Sequence, residues 1–262
     1  MTAAGTVDLG ASAVALLVVA GLAAGAVNAV AGGGSLISFP ALLAAGYPAV
    51  AANMTNAVAV LPGYVGGSLG YRKELRGQRR RAVALGATSL AGAVAGAWLL
   101  TVTPQQLFER IVPFLILLSC ALLAAQPAIS RRRRRGRSGA NRPGHRSVAL
   151  HAGQLATAVY GGYFGGGLGI LQLALLGLGL RDDLHRLNAL KGLLSLVIGA
   201  ASAAYFAIFG SVAWPAAGIM VIASLLGGQL GVVAVRRLSP DLLRWLVVVM
   251  GVAVAIVLFL RG

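Results

Sequence analysis

Residues able to hold a small anion are few in this chain, and they gather behind two glycine runs. Asn53, Thr55 and Asn56 follow Gly32-Gly33-Gly34-Ser35, while Asn188 and Lys191 follow Gly165-Gly166-Gly167. Three consecutive glycines in an apolar stretch make poor helix, since each costs about 1 kcal/mol relative to alanine. Unwound backbone exposes N–H groups, and the amino end of a half-helix adds partial positive charge. A break of this kind binds small anions without a fixed cation. Asn53 and Asn56 are three apart, as are Asn188 and Lys191, which puts each pair on one face of a helix. Their amides and ammonium are donors suited to oxyanion oxygens.

Each of these residues also has a plainer role open to it. Ser35 stands where a half-helix begins, so its hydroxyl either caps that end or touches a ligand. Asparagines stitch helices together in membranes for roughly 0.6–2 kcal/mol. A lysine in the apolar zone costs about 2.5–3.5 kcal/mol on insertion scales and is a functional suspect by default. Lys191 could instead snorkel to the surface beside Asp182 and Asp183. Asn28, Gln172, Tyr160 and Tyr64 are further candidates, with packing or interface roles as the alternative.

The medium for this chemistry is a bilayer. Of the 262 residues 58% are hydrophobic and only 11% charged, with a mean hydropathy of +0.85, whereas a soluble domain carries about a quarter charged residues. The net charge of +16 does not point to nucleic acid, because the arginines cluster between apolar spans, where positive residues hold the cytoplasmic side. Cys120 is alone, which leaves no disulfide framework. His145 and His151 flank the Arg linker and His185 stands in a polar turn, so no metal site is expected. Neither glycine run continues into Lys-Ser or Lys-Thr, and neither sits in a βαβ unit, which removes phosphate-loop and dinucleotide readings. No cofactor and no enzymatic activity are expected. A basic leader is absent from the amino end and the first apolar run is too long for one, so no cleavable signal peptide is expected.

Apolar runs cover residues 11–31, 36–45, 49–70, 82–102 and 107–126, and then 148–164, 168–180, 187–209, 216–235 and 242–260. Two of these, 36–45 and 168–180, are half-spans. Ser89-Leu90-x-Gly92-x-x-x-Gly96 returns as Ser224-Leu225-x-Gly227-x-x-x-Gly231, and Pro104 returns as Pro240, at an offset close to that of the glycine runs. The chain therefore reads as a duplication: a first membrane repeat over 1–126, an Arg-rich cytoplasmic linker over 127–147, and a second repeat over 148–262. The loop at 71–81 is basic while its counterpart at 209–213 is uncharged; the connection at 101–106 is uncharged while its counterpart carries Arg236 and Arg237. Equivalent loops thus prefer opposite sides. An all-α integral membrane fold with inverted repeats follows, each repeat holding a glycine-broken helix pair and three full spans. That makes eight long helices and up to ten segments, with both termini outside. Four parallel spans per half is the alternative topology.

Taken in order, the motifs resemble the sulfite exporter TauE/SafE family of membrane permeases. They are Gly25-x-x-Asn28-x-x-x-Gly32-Gly33-Gly34-Ser35, Pro40-x-Leu42-Leu43-x-x-Gly46 and Asn53-x-Thr55-Asn56, then Gly162-x-Phe164-Gly165-Gly166-Gly167-x-Gly169, Leu175-Leu176 and Asn188-Ala189-x-Lys191. Pro40 has no proline partner at Leu173, a departure between the halves. The resemblance implies a secondary transporter in the cell inner (cytoplasmic) membrane, moving small sulfur-containing anions such as sulfite, sulfoacetate or related organosulfonates. A passive anion channel is the alternative on the same fold, with a membrane-embedded scaffold or enzyme behind it. Expected partners are the small anionic substrate and the bilayer, with anionic lipid at the Arg linker, where attraction is worth about 1 kcal/mol per basic residue.

Overall fold

A computed structural model describes residues 10–30, 33–70, 74–135, 143–180, 182–234 and 240–261. Among these, every regular element is a helix: α1 (Ala11–Val30), α2 (Ser35–Ala44), α3 (Ala49–Gly70), α4 (Arg79–Val102), α5 (Gln105–Arg135), α6 (Pro143–Tyr163), α7 (Leu168–Gly179), α8 (Leu184–Phe209), α9 (Trp214–Ala234) and α10 (Pro240–Arg261). Eight are long and two, α2 and α7, are the expected half-spans. Windows in α1, α4, α5 and α8 are long and apolar enough to cross a membrane. The surface is apolar, with Trp98, Phe114, Ile208, Phe209 and Val249 exposed, whereas Ser38, Asn53, Asn56, Ser89, Gln154 and Gln172 are buried. This inversion of the soluble pattern suits a lipid surround.

The clearest departure from the sequence boundaries is in the linker. Helix α5 continues through Arg131–Arg135 and α6 begins at Pro143, so the segment expected as a tether over 127–147 is helical at both ends. Arginine is a strong helix former, and a composition change from apolar to basic therefore does not end a helix. Helices α9 and α10 also start slightly early, at Trp214 and Pro240. Proline is well suited to a first helical turn, where its missing N–H is no loss.

The second half packs as the first does. Helix α1 lies against α9 and α6 against α4; α4 lies against α8 and α3 against α9; the pairs α1–α2, α2–α3 and α2–α10 have counterparts in α6–α7, α7–α8 and α5–α7. The α1–α9 and α4–α6 contacts are close because glycine permits them. A methyl at Gly25 would collide with the Ser224 carbonyl, and one at Gly96 with that of Val159. Gly92, Gly96 and Gly227 of the repeated motif thus lie at the seams between halves. A buried hydrogen bond from Gln154 Nε2 to Ser89 Oγ (2.8 Å) crosses one of them.

Helices α3 and α8 run side by side in opposite directions. Near the start of α3, the Thr55 hydroxyl accepts from Ala213 N (2.9 Å), just past the end of α8. Beyond the end of α3, Gln78 Nε2 donates to the Arg186 carbonyl (3.0 Å) in the first turn of α8. One end of the molecule therefore gathers the connections at 46–48, 103–104 and 210–213, since Val50 N also donates to Gln105 Oε1 (3.1 Å). The other end gathers 74–78 and 182–186, tied by Arg81–Asp182 and Arg186–Asp182 ion pairs, both 2.9 Å.

Candidate functional site

Both glycine breaks lie against one wall, helix α5. The Leu123 side chain faces Gly33, and Ser119 bonds the backbone at Gly166. These two residues are four apart and so share a face, separated by about 6 Å along the axis. Phe39 of α2 meets Phe164 at the second break edge to face, with centroids 5.6 Å apart. The hairpins α1–α2 and α6–α7 thus meet in the interior.

At the first break, Gly32 lies outside the described residues, while Gly33, Gly34 and Ser35 are buried. Gly34 holds right-handed backbone (φ −59°, ψ −30°). Its N–H is already taken, donating to Asn28 Oδ1 at 2.9 Å. Its carbonyl accepts from Ile37 N, Ser38 N and Ser38 Oγ. Ser38 Oγ also reaches Asn56 Oδ1, which fastens α2 to α3. Asn28, a secondary candidate in the sequence, is therefore the residue that closes this break. Its own Nδ2 is buried and has no partner.

The second break is built differently. Gly165 and Gly167 take left-handed backbone, φ 77° and 68°, a conformation open to glycine and strained for most residues. The Gly166 carbonyl accepts from Tyr160 OH (2.6 Å) and Ser119 Oγ (3.0 Å), and the two hydroxyls are 2.8 Å apart. Asn53 Nδ2 donates to the Tyr163 carbonyl (2.8 Å), ending α6. The Gly165 and Gly167 carbonyls accept from the first turn of α7. No acceptor among the described residues meets the amides of Gly166, Gly167 or Gly169. The carbonyls are answered and the amides are not, which leaves a local excess of positive dipole at the amino end of α7.

Of the side chains singled out in the sequence, Asn53 and Asn56 are drawn to the breaks, one to each hairpin. Thr55 is not; it faces the 210–213 connection. Asn188 and Lys191, half-buried in the first two turns of α8, share a stripe with Ser195, whose hydroxyl donates to Gln172 Oε1 (2.6 Å). Asp182 is engaged by arginines and Asp183 caps α8 through His185 N (3.0 Å), so Lys191 stands apart from the acidic pair proposed as its surface partner. Gln172 is fully buried with Nε2 unpartnered. Ser119 escaped the sequence reading because a lone serine in an apolar span carries no pattern; here it bonds both its own helix, at Leu115 O (2.8 Å), and the second break. A cavity of about 640 Å³ lies away from the breaks, where Tyr47, Gln106, Glu109, Arg110, Phe114 and Phe259 line the space between α2, α5 and α10. No cluster of three or more metal-ligating side chains occurs among the described residues.

Comparison with known proteins points to membrane transporters. The family model described as "Sulfite exporter TauE/SafE" matches residues 17–258. A "Probable membrane transporter protein" of Haemophilus influenzae is 29% identical over 247 residues, covering 93% of each chain. "Probable membrane transporter protein ORF9" of Sinorhizobium sp. is 28% identical over 255 residues, 95% of this chain and 93% of that one. "Probable membrane transporter protein YfcA" of Escherichia coli is 26% identical over 233 residues, 86% of this chain and 82% of that one. No solved structure matches the chain.

Proposed function

The chain belongs to the sulfite exporter TauE/SafE family of membrane transporters, and from that premise we propose that it is a secondary transporter of small sulfur-containing anions. Sulfite, sulfoacetate and related organosulfonates are the substrate class, suggested by the family's name and by the donor chemistry of the breaks. One observation carries the reading: two interrupted helices meet against α5, and one of them leaves three glycine amides unanswered. Tetrahedral oxyanions are held by N–H groups of this kind without a counter-cation. Asn53 and Asn56 reach the two breaks from α3, and in this reading Gln172 on α7 and Asn188 and Lys191 on α8 complete the binding set.

Alternating access is the mechanism we infer. The antiparallel run of α3 beside α8, and the matching contacts of the two halves, support inverted repeats that rock about a shared centre. In this scheme the basic end, with 74–81 and 182–186, faces the cytoplasm. Arg131–Arg135 then lie at the inner leaflet of the cytoplasmic membrane, near anionic lipid. Cysteines placed at Ala49 and Ser211 should label from the opposite side to one at Gly77; labelling from the same side would remove the inverted arrangement.

Purified protein in proteoliposomes tests the function. The expected result is saturable sulfite uptake with counterflow, weakened strongly in the Lys191→Ala, Asn56→Ala double variant. Flux that rises linearly without counterflow would instead mark a passive channel.

A further inference from the structure

The hydroxyl clasp on Gly166 has a geometric consequence at its neighbour. In a trans peptide the carbonyl of one residue and the N–H of the next point in opposite directions. Tyr160 OH and Ser119 Oγ hold the Gly166 carbonyl toward α5 and α6, at 2.6 and 3.0 Å. The Gly167 amide in the same peptide is thereby aimed away from that wall, and it meets no acceptor there. Gly165 and Gly167, on either side of Gly166, hold left-handed backbone.

A second, separate observation comes from the next turn of the same helix. Helical side chains lean toward the amino end and cover the preceding turn, so Gln172 lies over the first turn of α7 beside Gly169. It is fully buried, its Oε1 is occupied by the Ser195 hydroxyl, and its Nε2 has no partner. A buried donor without an acceptor is costly. Here it adds to the free amides of Gly166, Gly167 and Gly169, so the side chain and the backbone present donors of one sign.

We propose that Ser119 and Tyr160 are positioning residues of an oxyanion site at the amino end of α7, fixing the Gly166–Gly167 peptide so that the Gly167 amide, with that of Gly169 and Gln172 Nε2, receives the anion. The inference rests on the transport reading for the identity of the anion, not for the geometry. Proton count ranks the two hydroxyls, with Tyr160 first. Tyr160 supplies one proton to the Gly166 carbonyl. Ser119 has one proton to divide among that carbonyl, Tyr160 and its own Leu115 carbonyl at 2.8 Å. Loss of Tyr160 OH therefore leaves Ser119 free to return its proton to α5 and release the clasp.

The test is equilibrium binding of sulfite to the detergent-purified full chain, with thermal unfolding of the ligand-free protein and proteoliposome flux measured alongside. Tyr160→Phe should raise Kd about three- to tenfold, the value of a lost hydrogen bond, and Ser119→Ala by a smaller factor. The apparent KM should rise with Kd while maximal flux per folded protein stays near wild type. The double variant should be little worse than Tyr160→Phe alone, because both act through one carbonyl. Unchanged Kd in both single variants, or a fall in melting temperature and maximal flux with Kd intact, would overturn the positioning role and leave the transport reading standing. Wild-type binding without flux would overturn the transport reading and leave the clasp to be judged by Kd. No saturable binding by the wild type would overturn the site itself.

Discussion

The two glycine breaks share a sequence word and differ in electrical outcome. At the first, the side chain supplies an acceptor: Asn28 Oδ1 takes the Gly34 amide, and the backbone stays right-handed. At the second, side chains supply donors: Ser119 and Tyr160 take the Gly166 carbonyl, Asn53 takes that of Tyr163, and the glycine amides are left open. The first break has its Gly34 amide closed by Asn28, whereas the second leaves the Gly166, Gly167 and Gly169 amides without an acceptor among the described residues. The difference teaches that a glycine run states only where a helix stops. The polar groups that arrive from other helices decide whether donors or acceptors remain.

Substitutions at equivalent glycines should separate the two. Gly34 is confined by neighbours, since a methyl there would strike the Ala24 carbonyl and Asn28. Gly34→Ala should cost about 1–3 kcal/mol by overpacking, and Gly34→Asn more, read by thermal unfolding in detergent. Gly167 is confined by its dihedrals instead: a methyl there meets Ser119 atoms at an ordinary 3.5–3.6 Å, but φ is +68°. Gly167→Ala should cost about 1–2 kcal/mol, and Gly167→Asn less, because asparagine tolerates left-handed backbone. If Asn were milder than Ala at both positions, or at neither, the contrast in cause would fail.

Removing the acceptor at the first break comes next in size. Asn28→Ala strands a buried amide and should destabilise the protein by about 1 kcal/mol, while shifting sulfite affinity less than Tyr160→Phe does. A larger affinity change from Asn28→Ala would make the first break the binding partner. The smallest effect concerns the return turns. The second hairpin ends in the Arg81–Asp182–Arg186 ion pairs, whereas the first ends in uncharged Gly46-Tyr47-Pro48. Asp182→Asn should lower stability by less than about 1 kcal/mol, and the loss should vanish at high salt. A loss that persists in high salt would mean that the pairs are not a surface tie.

Much of this frame was legible in the sequence, for reasons that the structure makes plain. Apolar length set the helices, and Gly92 and Gly227, noted for their repetition, fall at close crossings. Asn53 and Asn56 stood out because three-residue spacing puts both on one face. Other features depend on partners remote in the chain. Ser119 gains its role only because Tyr160 and Gly166 arrive beside it. Thr55 shares a motif with the two asparagines yet points to Ala213, since the next residue but one on a helix faces elsewhere. The Arg131–Arg135 run looked like a linker and is wound into α5, because charge lowers hydropathy without lowering helix propensity.

Amide hydrogen exchange with and without sulfite tests the central claim most directly. Peptides spanning 164–170 should exchange more slowly when the anion is bound, as Gly166, Gly167 and Gly169 gain an acceptor, while peptides spanning 33–38 should change little. Protection confined to 33–38, or equal at both breaks, would contradict the assignment of the anion to the second break.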